Sequence, residues 1–213
     1  TNLIRFIPSI PGLIYSKTAD TLYVNLYASN NAKIDLKNTS LQISQQTSYP
    51  WTGAVALTVD PKKETNFTIK LRVPGWARNQ VLPGNLYSYV KNSTEKTKVT
   101  INGKAATMNE ENGYFTIERI WKKGDKIAIN FPMEVKEVLT NAKVESNKNK
   151  VALEYGPIVY AIESMDNTYD FDKISINASD TFQVKKENNL LGGVNTIQNS
   201  KLTAIPYYAW SNR

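Results

Sequence analysis

The chain has 213 residues, 41% hydrophobic, 10% aromatic and 21% charged, a composition typical of a globular fold of one large domain or two small ones. It contains no Cys and no His, which excludes a thiolate nucleophile, a Cys/His zinc site and a Ser-His-Asp relay within it. The net charge of +7 comes from scattered lysines, and this pattern argues against nucleic-acid binding. An apolar stretch of the roughly 18 residues that span a bilayer is also missing, which argues against membrane insertion.

The N-terminal stretch differs in period from the rest of the chain. Apolar residues recur at helical spacing from Leu3 to Ile10, before Pro11 and Gly12 interrupt the pattern, which predicts a short helix. After Asp20 the period changes to two, as in half-buried strands. The clearest alternating runs are residues 22–26, 55–59, 67–73, 99–101, 115–117 and 127–131.

Turn-forming residues separate these runs. Asn102-Gly103 suits the positive φ values of a type I′ hairpin turn, and Pro74-Gly75, Pro83-Gly84 and Asn112-Gly113 punctuate other strands. We therefore expect a mainly β fold, an antiparallel β-sandwich with a short N-terminal helix. The expected division is 1–20 helical, 21–140 β-sandwich, and 141–213 further strands that either complete the sandwich or form a second small β unit.

Several segments, in chain order, are similar to one enzyme family. They are 22–27 (LYVNLY), 71–77 (LRVPGWA), 102–103 (NG), 113–115 (GYF), 120–125 (IWKKGD), 151–160 (VALEYGPIVY) and 205–213 (IPYYAWSNR). Together they resemble the C-terminal half of glycoside hydrolase family 127, the β-L-arabinofuranosidase-like group. The likeness covers almost the whole chain.

The resemblance implies an N-terminal (α/α)6 barrel that holds the active site, followed by β-sandwich domains. The family uses a zinc-bound cysteine as nucleophile and a glutamate as acid/base. Its Cys-Cys-Pro tract lies just before the segment that Thr1 to Phe6 resembles, so we expect this sequence to begin just after that tract. Residues 1–20 would then be a helical remnant of the barrel, and zinc is expected in the upstream part, with no cofactor in this chain.

The expected function is therefore the non-catalytic C-terminal β-sandwich portion of a β-L-arabinofuranosidase-like hydrolase, inactive alone and supporting the barrel. The barrel of the same polypeptide is the expected partner, and a homodimer is a further option. The sequence does not predict a cellular compartment, because a chain without cysteine is equally compatible with the cytosol, the periplasm and the exterior.

The alternative function is a carbohydrate-binding module, because sugars stack on exposed aromatic rings. Trp51 and Trp76 are the candidates for sugar contact, and this hypothesis requires at least one of them to be exposed. The competing interpretation is that these rings are buried in the core or at domain interfaces. Other aromatic candidates are Tyr49, Tyr114, Trp121, Tyr207, Tyr208 and Trp210.

Carboxylates are the remaining candidates for chemistry, since a glycosidase needs a pair across a cleft. They are Glu110, Glu111, Glu118, Glu163, Asp166, Asp170 and Asp172. Spacing along the chain cannot place any two of these carboxylates across a cleft. Carboxylates beside turns are commonly solvated or capping groups. The last four could also bind Ca²⁺ through oxygen, but they lack the glycine-punctuated spacing of a calcium loop. We predict no catalytic and no metal-binding residue in this chain.

Overall fold

The computed structural model describes residues 2–167, 173–177 and 179–212. In chain order its strands are β1 (Tyr15–Lys17), β2 (Thr21–Val24), β3 (Asn30–Asp35), β4 (Ser40–Thr47), β5 (Ala54–Pro61), β6 (Thr65–Arg72), β7 (Tyr87–Tyr89), β8 (Lys98–Ile101), β9 (Lys104–Ala106), β10 (Glu110–Glu111), β11 (Tyr114–Trp121), β12 (Asp125–Asn130), β13 (Val135–Thr140), β14 (Ala152–Tyr155), β15 (Ile158–Ile162), β16 (Gln183–Glu187), β17 (Val194–Gln198) and β18 (Thr203–Pro206). The mainly β class predicted from the sequence is confirmed.

The chain divides into two compact units. Unit 1 comprises Thr1–Pro74 and Lys96–Phe131, and unit 2 comprises Gly75–Glu95 and Pro132–Arg213. The first β region is predicted to end at residue 140. In the structure that residue is the last of β13, and β13 lies in unit 2. The segment Gly75–Glu95 belongs to unit 2 because its strand β7 pairs with β13.

Unit 1 contains two sheets. One has the order β1-β2-β6-β11-β10 and the other β3-β4-β5-β12-β8-β9. Neighbouring strands pair antiparallel, except that β2 runs parallel to β6. Antiparallel neighbours can be joined by short turns, whereas a parallel pair needs a long crossover, and here β3, β4 and β5 lie between β2 and β6 in the sequence.

Alternation in the sequence places one face of each sheet in the core. On β6 the buried side chains are Phe67, Ile69 and Leu71, and on β5 they are Val55, Leu57 and Val59. The intervening residues face outward, as a period of two requires. Burial of these apolar side chains, worth about 1.5–3 kcal/mol each, stabilises the sandwich.

The Asn102-Gly103 hairpin turn and the turn before β12 meet at Asp125. The Asn102 side chain donates from Nδ2 to Asp125 Oδ1 at 2.8 Å and accepts from the Lys126 N–H at 2.8 Å. Asp125 Oδ2 accepts from the Lys122 N–H at 2.9 Å, and Arg119 Nη2 lies 3.7 Å from the same oxygen. The Asn-Gly hairpin turn and the turn before β12 therefore share one buried carboxylate.

We expect Asp125→Asn to destabilise unit 1 at neutral pH by about 1–3 kcal/mol, the cost of weakening hydrogen bonds at a buried charged group. Burial raises the pKa of Asp125, but the Lys122 N–H, the Asn102 amide and Arg119 outweigh burial and hold that pKa below its ordinary value. The stability contributed by the carboxylate is therefore present above about pH 4 and is lost as pH falls through the lower pKa of the folded state.

Urea unfolding of the wild type and the variant at pH 7 and pH 3 checks this prediction. The difference in unfolding free energy should shrink at pH 3. Asp35→Asn, on the exposed end of β3, is the control and should change little at either pH. An Asp125→Asn loss that is equal at both pH values would contradict the role of the charge.

Unit 2 is built on one seven-stranded sheet of order β16-β17-β18-β15-β14-β13-β7. All its pairs are antiparallel. Its core contains Leu153, Tyr160, Ile197, Leu202 and Ala204.

The N-terminal helix is shorter than its apolar pattern suggests. The α-helix α1 spans Asn2–Phe6 and continues as a 3-10 helix over Ile7–Leu13. Pro8 and Pro11 lack the backbone N–H that an α-helix requires, which explains the change of geometry. Neither helix has a buried residue. Within the described ranges, no helix has the length and apolar character needed to cross a membrane.

Candidate functional site

The predicted sugar-contact residue Trp76 is buried. It lies on a 3-10 turn, Gly75–Arg78, in unit 2, and only 8% of its surface is exposed. Gly156 has φ +57°, and a Cβ there would meet Met133 at 2.6 Å and the Trp76 ring at 3.9 Å. Because the ring packs against protein, it lacks the exposure that a sugar platform requires.

A polar cluster lies beside Trp76 and is centred on Lys136. Its Nζ donates to the Trp76 carbonyl at 3.1 Å and to Asn79 Oδ1 at 3.0 Å, and it lies 4.4 Å from the centre of the Tyr89 ring. The Tyr89 hydroxyl donates to Glu154 Oε2 at 2.9 Å. Asn79 also exchanges two hydrogen bonds with the Ser93 backbone.

Burial sets the electrostatics of this cluster. Desolvation lowers the pKa of Lys136, although the charges of Glu134 and Glu154 act in the opposite direction. Desolvation also raises the pKa of Glu154, opposed by its bond to Tyr89 and by Lys136. The amine, the carboxylate and the phenol contact other protein groups, so the cluster fastens Gly75–Glu95 to the sheet of unit 2. A single amine and a single carboxylate bonded in this way provide no pair for hydrolysis.

The second predicted sugar-contact residue, Trp51, is half-buried in unit 1. It lies in the loop between β4 and β5, where its backbone N–H donates to the Ser48 carbonyl at 2.8 Å. Ser48 and Thr52, on either side of it, line an open groove of about 500 Å³ on the outer face of the six-stranded sheet. The sequence offered no signal for this groove, because its walls come from strands that are distant in the chain.

The remaining aromatic candidates separate into buried and exposed rings. Trp121 is fully buried, and its Nε1 donates to the Phe67 carbonyl at 2.9 Å. In unit 2 the rings of Tyr207 and Trp210 stack with centres 6.1 Å apart and planes 10° apart. These two rings and that of Tyr208 are more than half exposed, and together they form an exposed aromatic patch.

Two of the candidate carboxylates accept backbone hydrogen bonds, whereas Glu111 and Glu118 lie exposed on β10 and β11. Glu110 accepts from the Gly113 N–H at 2.6 Å across the turn between β10 and β11, and buried Glu163 accepts from the Ser211 N–H. Asp170 and Asp172 lie outside the described residues. Among the described residues, no three His, Cys, Asp or Glu side chains are grouped as a metal site would require. The sequence contains no Cys and no His, so it does not fit a zinc–cysteine site.

Two family models match the chain almost end to end. The model described as "Beta-L-arabinofuranosidase, GH127 middle domain" matches residues 21–133. The model described as "Glycoside hydrolase family 127 C-terminal domain" matches residues 135–213. The junction of the two matches lies close to the division of contacts after Phe131.

Relatives and solved structures agree with this match. A non-reducing end β-L-arabinofuranosidase of Bifidobacterium longum subsp. longum is 28% identical over 252 residues, which cover 100% of this chain and 34% of the relative. A solved family 127 β-arabinofuranosidase is 40% identical, with a TM-score of 0.92 over 98% of this chain and 36% of its own. The crystal structure of a family 127 β-L-arabinofuranosidase from Geobacillus stearothermophilus T6 is 33% identical, with a TM-score of 0.86 over 100% of this chain and 35% of its own.

The chain thus spans about a third of the length of these relatives. The two matched domains carry the sandwich and the second β unit described above, and they correspond to the non-catalytic C-terminal portion of those proteins. On these matches, the chain belongs to glycoside hydrolase family 127, of which it covers the middle and C-terminal domains.

Proposed function

We propose that the chain supports the catalytic barrel of a β-L-arabinofuranosidase and hydrolyses no glycoside by itself. Family membership and the relatives' names support the choice of parent activity. The sequence has neither Cys nor His, so we assign the cysteine, the zinc and the acid/base glutamate of the family to an upstream part of the polypeptide.

The observation that carries the proposal is the apolar surface of residues 2–13. Leu3 is 69% exposed, Ile4 74% and Phe6 54%, and Ile7 and Leu13 are more than half exposed as well. Exposed apolar side chains that lie together mark a surface made for another protein segment. Helix packing against the barrel would remove these side chains from water and stabilise both parts.

The exposed rings of Tyr207, Tyr208 and Trp210 give unit 2 an interaction surface of its own. Aromatic residues are enriched at protein interfaces because a rigid ring buries a large area. We propose the same barrel as its partner. A second copy of the chain is the alternative occupant, and sedimentation velocity of the chain alone distinguishes the two, because only self-association would raise the sedimentation coefficient with concentration.

The test compares hydrolysis of p-nitrophenyl β-L-arabinofuranoside by this chain alone and by a continuous polypeptide that includes the barrel. We expect the chain alone to release nitrophenol no faster than buffer does, and the continuous polypeptide to hydrolyse the substrate. Hydrolysis by the chain after removal of contaminating enzymes would overturn the proposal.

A variant set tests the supporting role. In the continuous polypeptide, the triple change of Leu3, Ile4 and Phe6 to serine should lower the thermal midpoint, because about 1.5–3 kcal/mol is lost for each apolar side chain removed from an interface. In the chain alone the same change should have little effect. Ile120→Ser is the matched control, because Ile120 is 57% exposed in the same unit. Equal midpoints for the triple variant and the wild-type continuous polypeptide would contradict docking through this segment.

A further inference from the structure

The groove on the outer face of the six-stranded sheet is a concave site outside the surfaces already described. Its volume is about 500 Å³, within the range of roughly 300–1,000 Å³ that is typical of small-molecule sites. All of its lining residues lie in unit 1 and in the described part of the chain. The feature is an open groove whose exposed lining is mostly apolar, with polar side chains along it.

Strand register creates the groove. Ala56 on β5 lies opposite Gln46 on β4 and opposite Ala128 on β12, and Ala128 lies opposite Thr100 on β8. Two methyl groups therefore form the floor between longer side chains. Four strands at a spacing of about 4.8 Å make this row about 14 Å long, which is longer than one sugar ring.

The walls carry neutral hydrogen-bonding groups. Gln46 and Asn130 provide amides that both donate and accept, and Ser48, Thr52 and Thr100 provide hydroxyls. The lining residues include no carboxylate and one ammonium, that of Lys98. The vicinal hydroxyls of a sugar need this mixture of donors and acceptors. The apolar C–H face of the sugar ring suits the alanine floor.

Other ligand classes fit this lining poorly. A divalent cation requires carboxylate or carbonyl oxygens in a cluster, and a nucleic acid requires several cations along its phosphates. A peptide strand binds at a sheet edge, but β5 already pairs with β4 and β12, and β12 pairs with β5 and β8. The lining is neutral apart from Lys98, and its amides and hydroxyls match a neutral ligand rich in hydroxyl groups.

We propose that this groove binds a neutral oligosaccharide laid across β5 and β12, with its hydroxyls on Gln46, Asn130 and Thr100. The site goes beyond the supporting role and does not depend on it. It would hold a glycan on unit 1 while hydrolysis takes place elsewhere. Trp51 directly precedes the lining residue Thr52, and its backbone N–H donates to the carbonyl of the lining residue Ser48. We therefore expect its fluorescence to report occupancy of the groove.

The test is a titration of the 15N-labelled chain with arabinotetraose and xylotetraose, the neutral probes, and with a galacturonate trimer, the acidic probe. With at least one neutral probe we expect saturable shifts at the amides of Ala56, Thr100 and Ala128, together with a change in Trp51 emission that Trp51→Phe abolishes. The acidic probe should bind no more tightly than the neutral probe, because Lys98 is the single cation in the lining.

Filling the groove provides the matched comparison. Ala128→Arg should weaken binding of the neutral probe by at least about tenfold, whereas Thr116→Arg, at an exposed position on β11 of the other sheet, should leave it unchanged. Ala128 faces outward, so both variants should melt like the wild type.

Three results would overturn the proposal. They are saturable binding of neither neutral probe at millimolar concentration, shifts confined to residues 207–210, and unchanged affinity in a folded Ala128→Arg variant. Concentration-dependent shifts at the groove without sugar would also overturn it, because they would assign the groove to a second copy of the chain. None of these outcomes bears on whether the chain hydrolyses an arabinofuranoside, so the two proposals fail separately.

Discussion

Trp121→Ala is expected to lower the free energy of unfolding by about 3–5 kcal/mol, the usual cost of truncating a buried tryptophan. Trp121 is fully buried, and its ring centre lies 5.8 Å from that of Phe67. Its Nε1 donates to the Phe67 carbonyl at 2.9 Å, and the Arg119 guanidinium lies 5.2 Å from the ring centre. The variant therefore loses apolar burial, a hydrogen bond and a cation–π contact together.

Urea unfolding followed by far-ultraviolet circular dichroism measures this loss. Trp121→Phe should cost less than the alanine variant, because it keeps much of the apolar volume and loses the N–H donor. Trp210→Ala is the control, since 53% of Trp210 is exposed, and it should change the midpoint little. A Trp121→Ala loss no larger than that of Trp210→Ala would contradict the central place of Trp121 in unit 1.

Gly53→Ala is expected to destabilise unit 1 by about 1–3 kcal/mol or more, although it adds only one methyl group. A Cβ at this position would lie 2.1 Å from the Phe131 carbonyl oxygen and 2.9 Å from the Phe131 carbonyl carbon. Both are backbone atoms, so no side chain can rotate away. The clash would also strain the bond from the Phe131 N–H to the Gly53 carbonyl, 2.9 Å long.

Gly12→Ala is the matched control for this prediction. A Cβ at Gly12 would have no atom within 4 Å, and alanine there reduces the freedom of the unfolded chain, so we expect a neutral or slightly stabilising effect. Thermal unfolding of both variants decides the matter. Similar midpoints for Gly53→Ala and the wild type would mean that the two backbone segments separate more easily than their contact suggests.

Alternation and turn residues were sufficient to predict the class of fold. The runs at residues 55–59, 67–73 and 127–131 appear as β5, β6 and β12 with the predicted faces buried. Asn102-Gly103 forms the predicted hairpin turn, and both residues have positive φ, 51° and 78°. These features are local, because period and turn geometry depend on neighbouring residues.

The functional surfaces were less accessible to sequence reasoning. Trp51 and Trp76 have the same side chain, yet Trp51 is half-buried beside an open groove and Trp76 is buried beside Gly156. Sequence gives residue type without solvent exposure, and exposure is what a sugar platform needs. The C-terminal rings differ again, because Tyr207 and Trp210 stack on a short 3-10 turn that leaves both exposed.

The sequence by itself determined the β class, the family and the absence of cysteine and histidine chemistry, because these depend on composition, period and ordered motifs. Tertiary structure alone decided that β2 pairs parallel with β6, that Gly75–Glu95 joins unit 2 through β7, and that Ala56 and Ala128 meet at the floor of one groove. Each of these pairs residues far apart in the chain. Their free energy comes from strand register and burial, which a local pattern does not encode.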